Sequence, residues 1–364
     1  MTIPIGIVGA SGLVGGELLR LLDTHPDFRV VYAGSSGRSR DEESGPVALA
    51  EIHPHLLGRP VGELQLDRTR VSRIAGTCAA VFLATPPAVS ASLAPALLDA
   101  GVEVVADLSA AFRIKDPVLH KRWYPDVSRS WSSYQPVYGL PELNRDLLPG
   151  ARLISVPGCM ATASILALYP LTRMAGTRFS HITIDAKAGS AGSGTRLQAP
   201  GLHALRSHVV APYAPIGHRH AAEIRECLTG HGLATTDGGL RLGMSAYGVD
   251  LIRGASVAVY VWADDHVSPS DLTKMFRDTY QQERFVRVID WKSGALPMPD
   301  PKAVIGSNYC DVAPLVDTDA GRLVIISVLD TLTKGAAGQA IQACNGRFGW
   351  PEDAGLNLQP VFPA

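Results

Sequence analysis

Cys159 is the residue of this sequence best placed to do covalent chemistry. The apolar run 152–155 predicts a strand, Pro157-Gly158 breaks it, and 161–168 predicts a buried helix. Cys159 therefore falls where a strand turns into a helix, and the positive end of a helix dipole lowers the pKa of a thiol and favours the thiolate. A small cysteine of the core is the alternative interpretation. The pattern favours a nucleophile that attacks a carbonyl carbon.

Two histidines, His218 and His220, open a predicted helix that starts near residue 215. A His-x-His pair can bind a metal, but no clear set of further ligands accompanies it, so we predict no metal site. Imidazole titrates near neutrality, and the chain already offers a thiol to activate. We therefore predict that this segment supplies a general acid or base.

A glycine-rich turn, 9–16, lies between a predicted strand, 3–8, and a predicted helix, 17–22, with a second strand at 28–33. Such a βαβ unit can hold a pyrophosphate against the start of its helix. The spacing is G-x-x-G-x-x-G, and a tight turn without a ligand is the alternative. The turn residues predicted to bind a dinucleotide are Gly9, Ser11, Gly12, Leu13 and Val14.

The end of the second strand indicates which dinucleotide binds. An enzyme that uses NAD usually carries an acidic residue there, whereas this chain has Ser35, Arg38 and Arg40. Hydroxyl and guanidinium groups suit a 2′-phosphate. A solvated basic loop is the alternative, but together with the glycine turn this composition predicts NADP(H).

The parallel-sheet pattern continues with strands 79–84 and 102–107 and a helix from about 88 to 99. Ligands of such sheets bind beyond the carboxyl ends of the strands, where Thr85 and the segment 107–113 should lie. Arg113 in that segment is a candidate clamp for an anionic substrate, or else a surface arginine.

The second half changes to an α+β pattern. A strand, 180–186, leads into the Gly/Ser run 187–194, whose position indicates a backbone that approaches a ligand closely. We predict cofactor contacts there from Gly189, Ser190 and Gly192. Residues 196–215 show little periodicity. The remaining predicted elements are strands at 240–246, 252–262 and 323–329 and helices at 269–280 and 334–343.

Composition sets the outer limits. The 364 residues suffice for two domains, a net charge of -1 argues against nucleic acid, and no apolar run reaches the length of a membrane span. Five single cysteines without a C-x-x-C pair indicate a reducing compartment, which we take as the cytoplasm. We predict an α/β chain with a Rossmann-like domain, 1–155, completed by the C-terminal helix 334–364, and a catalytic and substrate-binding domain, 156–333.

Seven motifs then occur in a recognisable order: GASG at 9–12, DLSA at 107–110, GLPELN at 139–144, PGC at 157–159, HRH at 218–220, SNYC at 307–310 and KGAAGQ at 334–339. In this set the chain resembles the N-acetyl-γ-glutamyl-phosphate reductases of arginine synthesis and their aminoadipyl-phosphate relatives of lysine synthesis. The resemblance implies an α+β catalytic domain of the semialdehyde and glyceraldehyde-phosphate dehydrogenase type. It also implies a homo-oligomer.

The resemblance implies roles for individual residues. The thiolate of Cys159 would displace inorganic phosphate from an acyl phosphate and leave a thioester, which NADPH reduces to the aldehyde. His218 would be the acid or base for sulfur and oxygen, and Ser109 and Arg113 match positions suited to the phosphate. Further contacts are implied for His220 and Arg196 with the substrate and for Thr331 near the nicotinamide.

Some positions depart from the family pattern and bear on the substrate. Ala111 stands where the family often has an acid, Met160-Ala161 replaces Tyr-Pro, and Thr331 replaces asparagine. The segments 187–192 and 217–220 look like the lysine-type branch, in which some substrates are tethered to an acidic carrier protein. The chain carries positive groups at Arg196, His203, Arg206, His208 and Arg219, without Asp or Glu from 196 to 222.

That basic segment predicts either an acidic carrier or a rim that attracts only the small acyl phosphate. The length of the acyl chain stays open between glutamyl and aminoadipyl. Two other functions remain as alternatives: an aspartate-semialdehyde dehydrogenase, which shares fold and chemistry, and a non-catalytic regulator that binds NADP.

Overall fold

Alternating strands and helices are followed by a mixed α+β part, as the sequence predicts. The computed structural model describes residues 2–35, 46–128, 134–174, 176–194, 205, 207–235, 239–263, 266–290 and 296–362. The chain divides into two units, Met1–Gly158 with Ala336–Leu358 and Cys159–Gly335 with Gln359–Ala364. The predicted first domain took in all of 334–364, whereas the end of the chain falls in the second unit, where the Val361 N–H donates to the Ile305 carbonyl at 3.0 Å.

The first unit is built on a seven-stranded parallel sheet in the order β3-β2-β1-β4-β5-β7-β6. Its strands are β1 Ile3–Val8, β2 Phe28–Ser35, β3 Asp67–Arg68, β4 Ala80–Leu83, β5 Val104–Asp107, β6 Pro136–Tyr138 and β7 Leu153–Ser155. Strands β4 and β5 are buried along their whole length, because helices cover both faces of such a sheet. The strand order reverses between β1 and β4, which is where open parallel sheets bind ligands.

The described helices of this unit are α1 Leu13–Leu22, α2 Leu49–Ile52, α3 Val71–Ala75, α4 Pro87–Asp99, α5 Pro117–Trp123, α6 Pro141–Asn144 and, from the end of the chain, a helix at Gly338–Arg347. Helix α1 starts four residues earlier than predicted, directly after the glycine turn. The predicted helix 334–343 is different at its start, where Thr333–Ala337 forms a π-helical turn.

The second unit contains a mixed seven-stranded sheet in the order β12-β13-β14-β11-β8-β10-β9. Its strands are β8 Phe179–Ala188, β9 Val210–Ala214, β10 Arg241–Val249, β11 Ala255–Ala263, β12 Val286–Val288, β13 Cys310–Asp317 and β14 Arg322–Leu329. Buried and half-buried residues alternate along β11, the pattern of a strand with one face in the core. The sequence analysis missed β9, β12 and β13, and Pro314 inside β13 argues against a strand by composition alone.

Three described helices belong to the second unit: α7 Cys159–Leu168, α8 Arg219–Gly230 and α9 Pro269–Tyr280. Helix α9 has the predicted bounds, because Ser268 caps it by accepting from the Asp271 N–H and Pro269 occupies its first position. The helix at Gly338–Arg347 is α10. Helix α7 is buried from Met160 to Leu168, as predicted, but it begins at Cys159 and not at Ala161.

Candidate active site

The glycine turn of the first unit is shaped by close backbone contacts. Gly9 has a φ of +89°, and a Cβ there would lie 2.3 Å from the Ala84 carbonyl oxygen. A Cβ at Gly15 would lie 2.4 Å from the Gly9 carbonyl oxygen. At Gly12 the nearest atom would be 3.5 Å away, so no described protein atom requires a glycine at that position. Gly9 and Gly15 therefore serve the turn itself, and Gly12 leaves room beside it.

Helix α1 presents its first turn without a capping side chain among the described residues. Its backbone N–H groups start at Leu13, which is 36% exposed, and Ser11 and Val14 are half-buried. Uncapped N–H groups at a helix start attract anions. The turn can therefore hold a phosphate group.

His53, which no sequence motif indicates, supports this turn. Its Nε2 lies 2.7 Å from the Ala10 carbonyl oxygen, and a Cβ at Gly16 would lie 2.7 Å from its ring. Burial lowers the pKa of His53, although the hydrogen bond with the Ala10 carbonyl acts to raise it. The ring is therefore a neutral donor that fixes the turn. No periodicity marks it, because its partner is 43 residues away.

The predicted 2′-phosphate residues are only partly described. Ser35 ends β2, is half-buried, and its carbonyl accepts from the Thr69 hydroxyl at 2.9 Å. Arg38 and Arg40 lie outside the described residues, so their part in cofactor choice stays a prediction.

A chain of hydroxyls and one carboxyl follows β4 and β5. The Thr85 and Ser90 hydroxyls lie 2.7 Å apart, and the Ser109 hydroxyl donates to Asp107 at 2.8 Å while accepting from the Ala111 N–H at 3.1 Å. Burial raises the pKa of Asp107, against hydrogen bonds from Ser90 and Ser109. The proton of Ser109 therefore points at Asp107, so contact with a phosphate requires its hydroxyl to turn.

Arg113 is half-buried and ties two loops of the first unit together. Its Nε donates to the Val156 carbonyl at 2.8 Å, and its Nη2 donates to the Leu108 carbonyl at 2.7 Å. Val156 lies three residues before Cys159, so the guanidinium fixes the segment that leads to the thiol. Its predicted role as a phosphate clamp stays a prediction.

Cys159 is the first residue of α7, and its side chain is half-buried. All five cysteines are free, as the spacing predicts. The backbone of Gly335 packs directly against Cys159, since a Cβ at Gly335 would lie 2.6 Å from the Cβ of Cys159. The buried helix and Gly335 therefore fix the position of Cys159, while its half-buried side chain remains partly accessible to solvent.

A buried carboxylate organises the turn that contains Gly335. Asp330 is fully buried and accepts from Arg253 Nε at 2.9 Å, from the Gly306 N–H at 2.7 Å and from the Leu332 N–H at 2.8 Å. Its own carbonyl accepts from the Gly335 N–H at 2.8 Å. No sequence pattern pairs Asp330 with Arg253, although Asp330 directly follows a predicted strand.

His218 caps helix α8. Its Nδ1 accepts from the His220 N–H at 3.1 Å, and its Nε2 lies 3.5 Å from the Tyr213 hydroxyl. That hydroxyl is also 4.0 Å from the Met160 sulfur, next to Cys159. Burial and then the charge of Arg219 lower the pKa of His218 to about 4. His218 is therefore a neutral imidazole beside the Tyr213 hydroxyl, which in turn lies near the Met160 side chain of α7.

His220 lies inside the second unit with its neighbour. It is 5% exposed, and the two histidine rings pack with centroids 4.6 Å apart. Its contact with a substrate stays a prediction. In the described part of the chain no group of three or more His, Cys, Asp or Glu could hold a metal ion.

The Gly/Ser loop after β8 packs closely against another loop of the second unit, and its predicted contact with the cofactor stays a prediction. A Cβ at Gly189 would lie 2.7 Å from the Ile252 carbonyl oxygen, and the Gly189 and Ser190 N–H groups donate to the Gly254 and Leu251 carbonyls. The close approach is thus to the chain's own backbone. Gly192 has open space around it, and Thr331 is buried and accepts from the Gly254 N–H at 3.3 Å.

The basic segment is partly described. Arg196, His203 and Arg206 lie outside the described residues. Arg219 is exposed, whereas His208 pairs with Asp250 at 3.6 Å. The predicted positive charge is therefore reduced at His208 by an acid from beyond the segment. Among the described helices, none is long and apolar enough to cross a membrane.

Two family models match this chain. One is described as the semialdehyde dehydrogenase NAD binding domain and matches residues 4–151, and the other as the semialdehyde dehydrogenase dimerisation domain and matches residues 159–331. The chain is 40% identical to a LysW-L-2-aminoadipate/LysW-L-glutamate phosphate reductase from Saccharolobus solfataricus, over 99% of this chain and 98% of the relative. It is 37% identical to one of the same description from Sulfurisphaera tokodaii, over 100% of both chains.

Solved structures agree on the fold. The chain superposes on an aspartate semialdehyde dehydrogenase from Candida albicans with NADP at a TM-score of 0.69 and 14% identity, covering 95% of this chain and 98% of the other. An aspartate semialdehyde dehydrogenase II from Vibrio cholerae gives a TM-score of 0.68 at 16% identity, with 95% and 98% covered. At these identities the likeness concerns the fold alone.

Proposed function

Because this chain belongs to the semialdehyde dehydrogenase family, with the N-acetyl-γ-glutamyl-phosphate reductases and their lysine-type relatives, we propose that it reduces an acyl phosphate to a semialdehyde with NADPH. The observation that carries the proposal is the position of Cys159. Its thiol is half-buried at the first position of a buried helix, and the backbone of Gly335 packs against it. The fold likeness to aspartate semialdehyde dehydrogenases does not favour that alternative, since both enzymes share the architecture.

The reaction follows from what the thiol and its surroundings can do. The thiolate of Cys159 attacks the acyl carbon, the bond to phosphate oxygen breaks, and the acyl group stays on sulfur as a thioester. Bound NADPH supplies the hydride that reduces this thioester. Backbone N–H groups at the start of α7 stabilise negative charge on the carbonyl oxygen. Sulfur then leaves, which frees the aldehyde.

The first unit fits NADP(H). The open space at Gly12 and the uncapped start of α1 suit a pyrophosphate, and Ser11, Leu13 and Val14 present backbone to it. Ser35 ends β2 and Thr85 follows the end of β4, the two strands on either side of β1 in the same sheet, and Arg38 and Arg40 supply the charge for a 2′-phosphate. Gly192 and Thr331 are assigned to the nicotinamide end. Gly189 and Ser190, in the same loop as Gly192, complete the contacts with the cofactor.

The substrate is an amino-protected γ-glutamyl or δ-aminoadipyl phosphate, and we favour the carrier-linked form. The relatives act, by their names, on LysW-L-2-aminoadipate and LysW-L-glutamate phosphates. Arg219 is exposed, and the sequence from Arg196 to Ala222 contains no Asp or Glu, a composition that suits an acidic carrier. Arg113, Ser109 and His220 bind the phosphate and acyl groups. The enzyme works in lysine or arginine synthesis.

We further propose a cytoplasmic homo-oligomer. Its second unit matches the dimerisation domain, and the residues that alternate with the core along β11 are half-buried: Ser256, Ala258, Tyr260 and Trp262. Two aromatic rings in such a row suit contact with a second copy. The free cysteines suit a reducing compartment.

The experiment measures turnover of carrier-linked and free N-acetylated acyl phosphates over a range of ionic strength. The carrier-linked reaction should be faster and should slow as salt screens the charges. Cys159→Ser should abolish turnover while NADPH still binds, and Cys227→Ser, at a half-buried thiol on α8, is the matched control. Turnover by Cys159→Ser contradicts the mechanism, and equal use of both substrates contradicts the carrier.

A further inference from the structure

A π-helical turn, Thr333–Ala337, carries the glycine that packs against Cys159. Such turns are rare in proteins and occur frequently at functional sites. A Cβ at Gly335 would lie 2.6 Å from the Cβ of Cys159, so the backbone of this turn leaves the thiol residue little room to shift. The position of the thiol therefore depends on the contacts that hold the turn.

The side chain of Arg253 holds the start of that turn at two points. Its Nε donates to the Asp330 carboxylate at 2.9 Å, and its Nη2 donates to the Thr333 hydroxyl at 2.9 Å. Asp330 and Thr333 are 0% and 1% exposed, so both acceptors depend on donors from the protein. A planar guanidinium reaches two acceptors at fixed angles, whereas an ammonium group is a point charge. Arg253 thus fixes the first residue of the turn relative to the carboxylate that precedes it.

The backbone on either side of Arg253 holds the Gly/Ser loop that follows β8. The N–H groups of residues 189–191 donate to carbonyl groups of the segment 251–254 at 2.8–2.9 Å. The Gly254 N–H also donates to the Thr331 hydroxyl at 3.3 Å. The proposed function assigns this loop and Thr331 to the cofactor. One short segment of the second unit therefore joins the cofactor loop to the turn that packs against the thiol.

We propose that Arg253 is a positioning residue of the reaction. Its guanidinium fixes the segment 330–335 against Cys159 and ties that segment to the Gly/Ser loop, so that the thiol and the loop keep one relative position. Arg253 acts through Asp330, Thr333 and Gly335. The assignment rests on the proposed function for its substrate and cofactor, and it gives the buried ion pair a role in turnover as well as in stability.

A second buried ion pair of the same unit offers a matched comparison. Arg287 on β12 donates to Asp311 through Nε at 2.6 Å and through Nη2 at 2.8 Å, and Asp311 is 3% exposed. The guanidinium also contacts the Ala303 carbonyl and the Tyr309 ring. The chemistry is that of the first pair, but its partners lie outside the segment 330–335. A purely structural ion pair should therefore behave as Arg287 does.

Two lysine variants separate the roles, because both keep a positive charge beside a buried carboxylate and lose the planar fork. We expect Arg253→Lys to lower kcat by about 10–100-fold, the scale for misplacing a reacting group by up to about 1 Å, with little change in KM for NADPH or the acyl phosphate. Arg287→Lys should keep the kcat of the wild type. Thermal melting of both variants checks folding. A normal kcat in Arg253→Lys, an equal loss of kcat in both variants or a change in KM alone overturns the proposal.

A further variant removes one anchor and keeps the ion pair. Thr333→Val has a similar shape but no acceptor for Nη2 of Arg253, and kcat should fall by about tenfold, the scale of one hydrogen bond to a charged group. The double variant should lose no more than Arg253→Lys alone, because both changes break the same contact. Losses that multiply show independent roles and overturn the proposal. If Arg253→Lys does not fold, Thr333→Val decides alone, and a normal kcat in it overturns the proposal.

A measurement without substrate separates this inference from the proposed function. Iodoacetamide alkylates Cys159 at neutral pH in a Cys227→Ser background, with Cys159→Ser as the blank, since the other three cysteines are buried. The start of α7 stabilises the thiolate, so a displaced thiol should react at least about threefold more slowly in Arg253→Lys and at an unchanged rate in Arg287→Lys. If the wild-type chain reduces neither acyl phosphate, the proposed function is wrong, and this rate still decides whether Arg253 positions the thiol. An unchanged or faster rate in Arg253→Lys overturns the inference.

Discussion

The backbone of Gly335 packs against Cys159: a Cβ added at Gly335 would lie 2.6 Å from the Cβ of Cys159 and 3.0 Å from the Asp330 carbonyl oxygen. Both neighbours are fixed, one at the start of a buried helix and one at a buried carboxylate. A side chain at Gly335 must therefore displace Cys159.

We expect Gly335→Ala to lower kcat by about 10²-fold, the scale for misplacing a reacting group by about 1 Å. The affinity for NADPH should change little. The control is Gly243→Ala on β10, where a Cβ meets open space. Steady-state kinetics and cofactor titration of both variants check this. Normal turnover in Gly335→Ala would contradict the claim that Gly335 fixes the position of Cys159.

The glycines of the first turn should separate folding from binding. Gly15→Ala places a Cβ 2.4 Å from the Gly9 carbonyl oxygen and should destabilise the chain by about 1–3 kcal/mol through overpacking. Gly12→Ala meets its nearest atom at 3.5 Å and should leave stability unchanged. It should still weaken NADPH binding by roughly tenfold, or about 1.4 kcal/mol. Urea unfolding and fluorescence titration measure the two effects, and unchanged NADPH affinity in Gly12→Ala would remove Gly12 from the cofactor site.

Asp330 should matter for stability because its charge is buried and paired. Asp330→Asn leaves Arg253, with 23% of its side chain exposed, without its counter-charge, and breaking such a pair costs about 3 kcal/mol. The free energy of unfolding in urea measures the loss. Asp317→Asn is the matched control, since Asp317 pairs with Arg322 at the surface and should have little effect. Similar losses in both variants would show that the buried pair contributes no more to the free energy of unfolding than the surface pair does.

His53 should make the chain sensitive to acid. Its pKa is lowered by burial from an ordinary value of 6.5, so below pH 6.5 the unfolded chain takes up a proton that the folded chain resists. The free energy of unfolding is therefore at its full value above pH 6.5. It falls as the pH drops toward the folded pKa, by up to about 1.4 kcal/mol for each unit between the unfolded and the folded pKa. His53→Gln keeps a donor for the Ala10 carbonyl and should flatten this fall. His266→Gln, at an exposed ring of the second unit, should follow the wild-type curve, and parallel curves for all three would exclude His53.

Arg38 and Arg40 should decide the choice of cofactor. Their replacement by alanine should lower kcat/KM for NADPH by about 10–100-fold, the scale of one hydrogen bond to a charged group. The value for NADH should change little. Arg29→Ala, on an exposed position of β2, is the control. Equal losses with both cofactors mean that the two arginines do not contact the 2′-phosphate.

Local patterns determined much of this protein from the sequence alone. The βαβ unit with its glycine turn, the buried helix after Cys159 and the bounds of α9 follow from periodicity, turn residues and caps, whose partners lie within a few residues of one another. Because those interactions are local, the order of residues along the chain is enough to find them. The thiol at a helix start belongs to this class.

Contacts between distant residues were decided only by the tertiary structure. Arg253 and Asp330 are 77 residues apart, and no pattern along the chain pairs them. Composition also did not reveal that the backbone of Ile252 lies close to Gly189. The sequence predicts His218 near the start of a helix, but it does not reveal the hydrogen bond that Nδ1 accepts from the His220 N–H, because that bond depends on how the ring folds onto the start of α8. Packing and hydrogen-bond direction are properties of three-dimensional neighbours, so only the folded chain determines them.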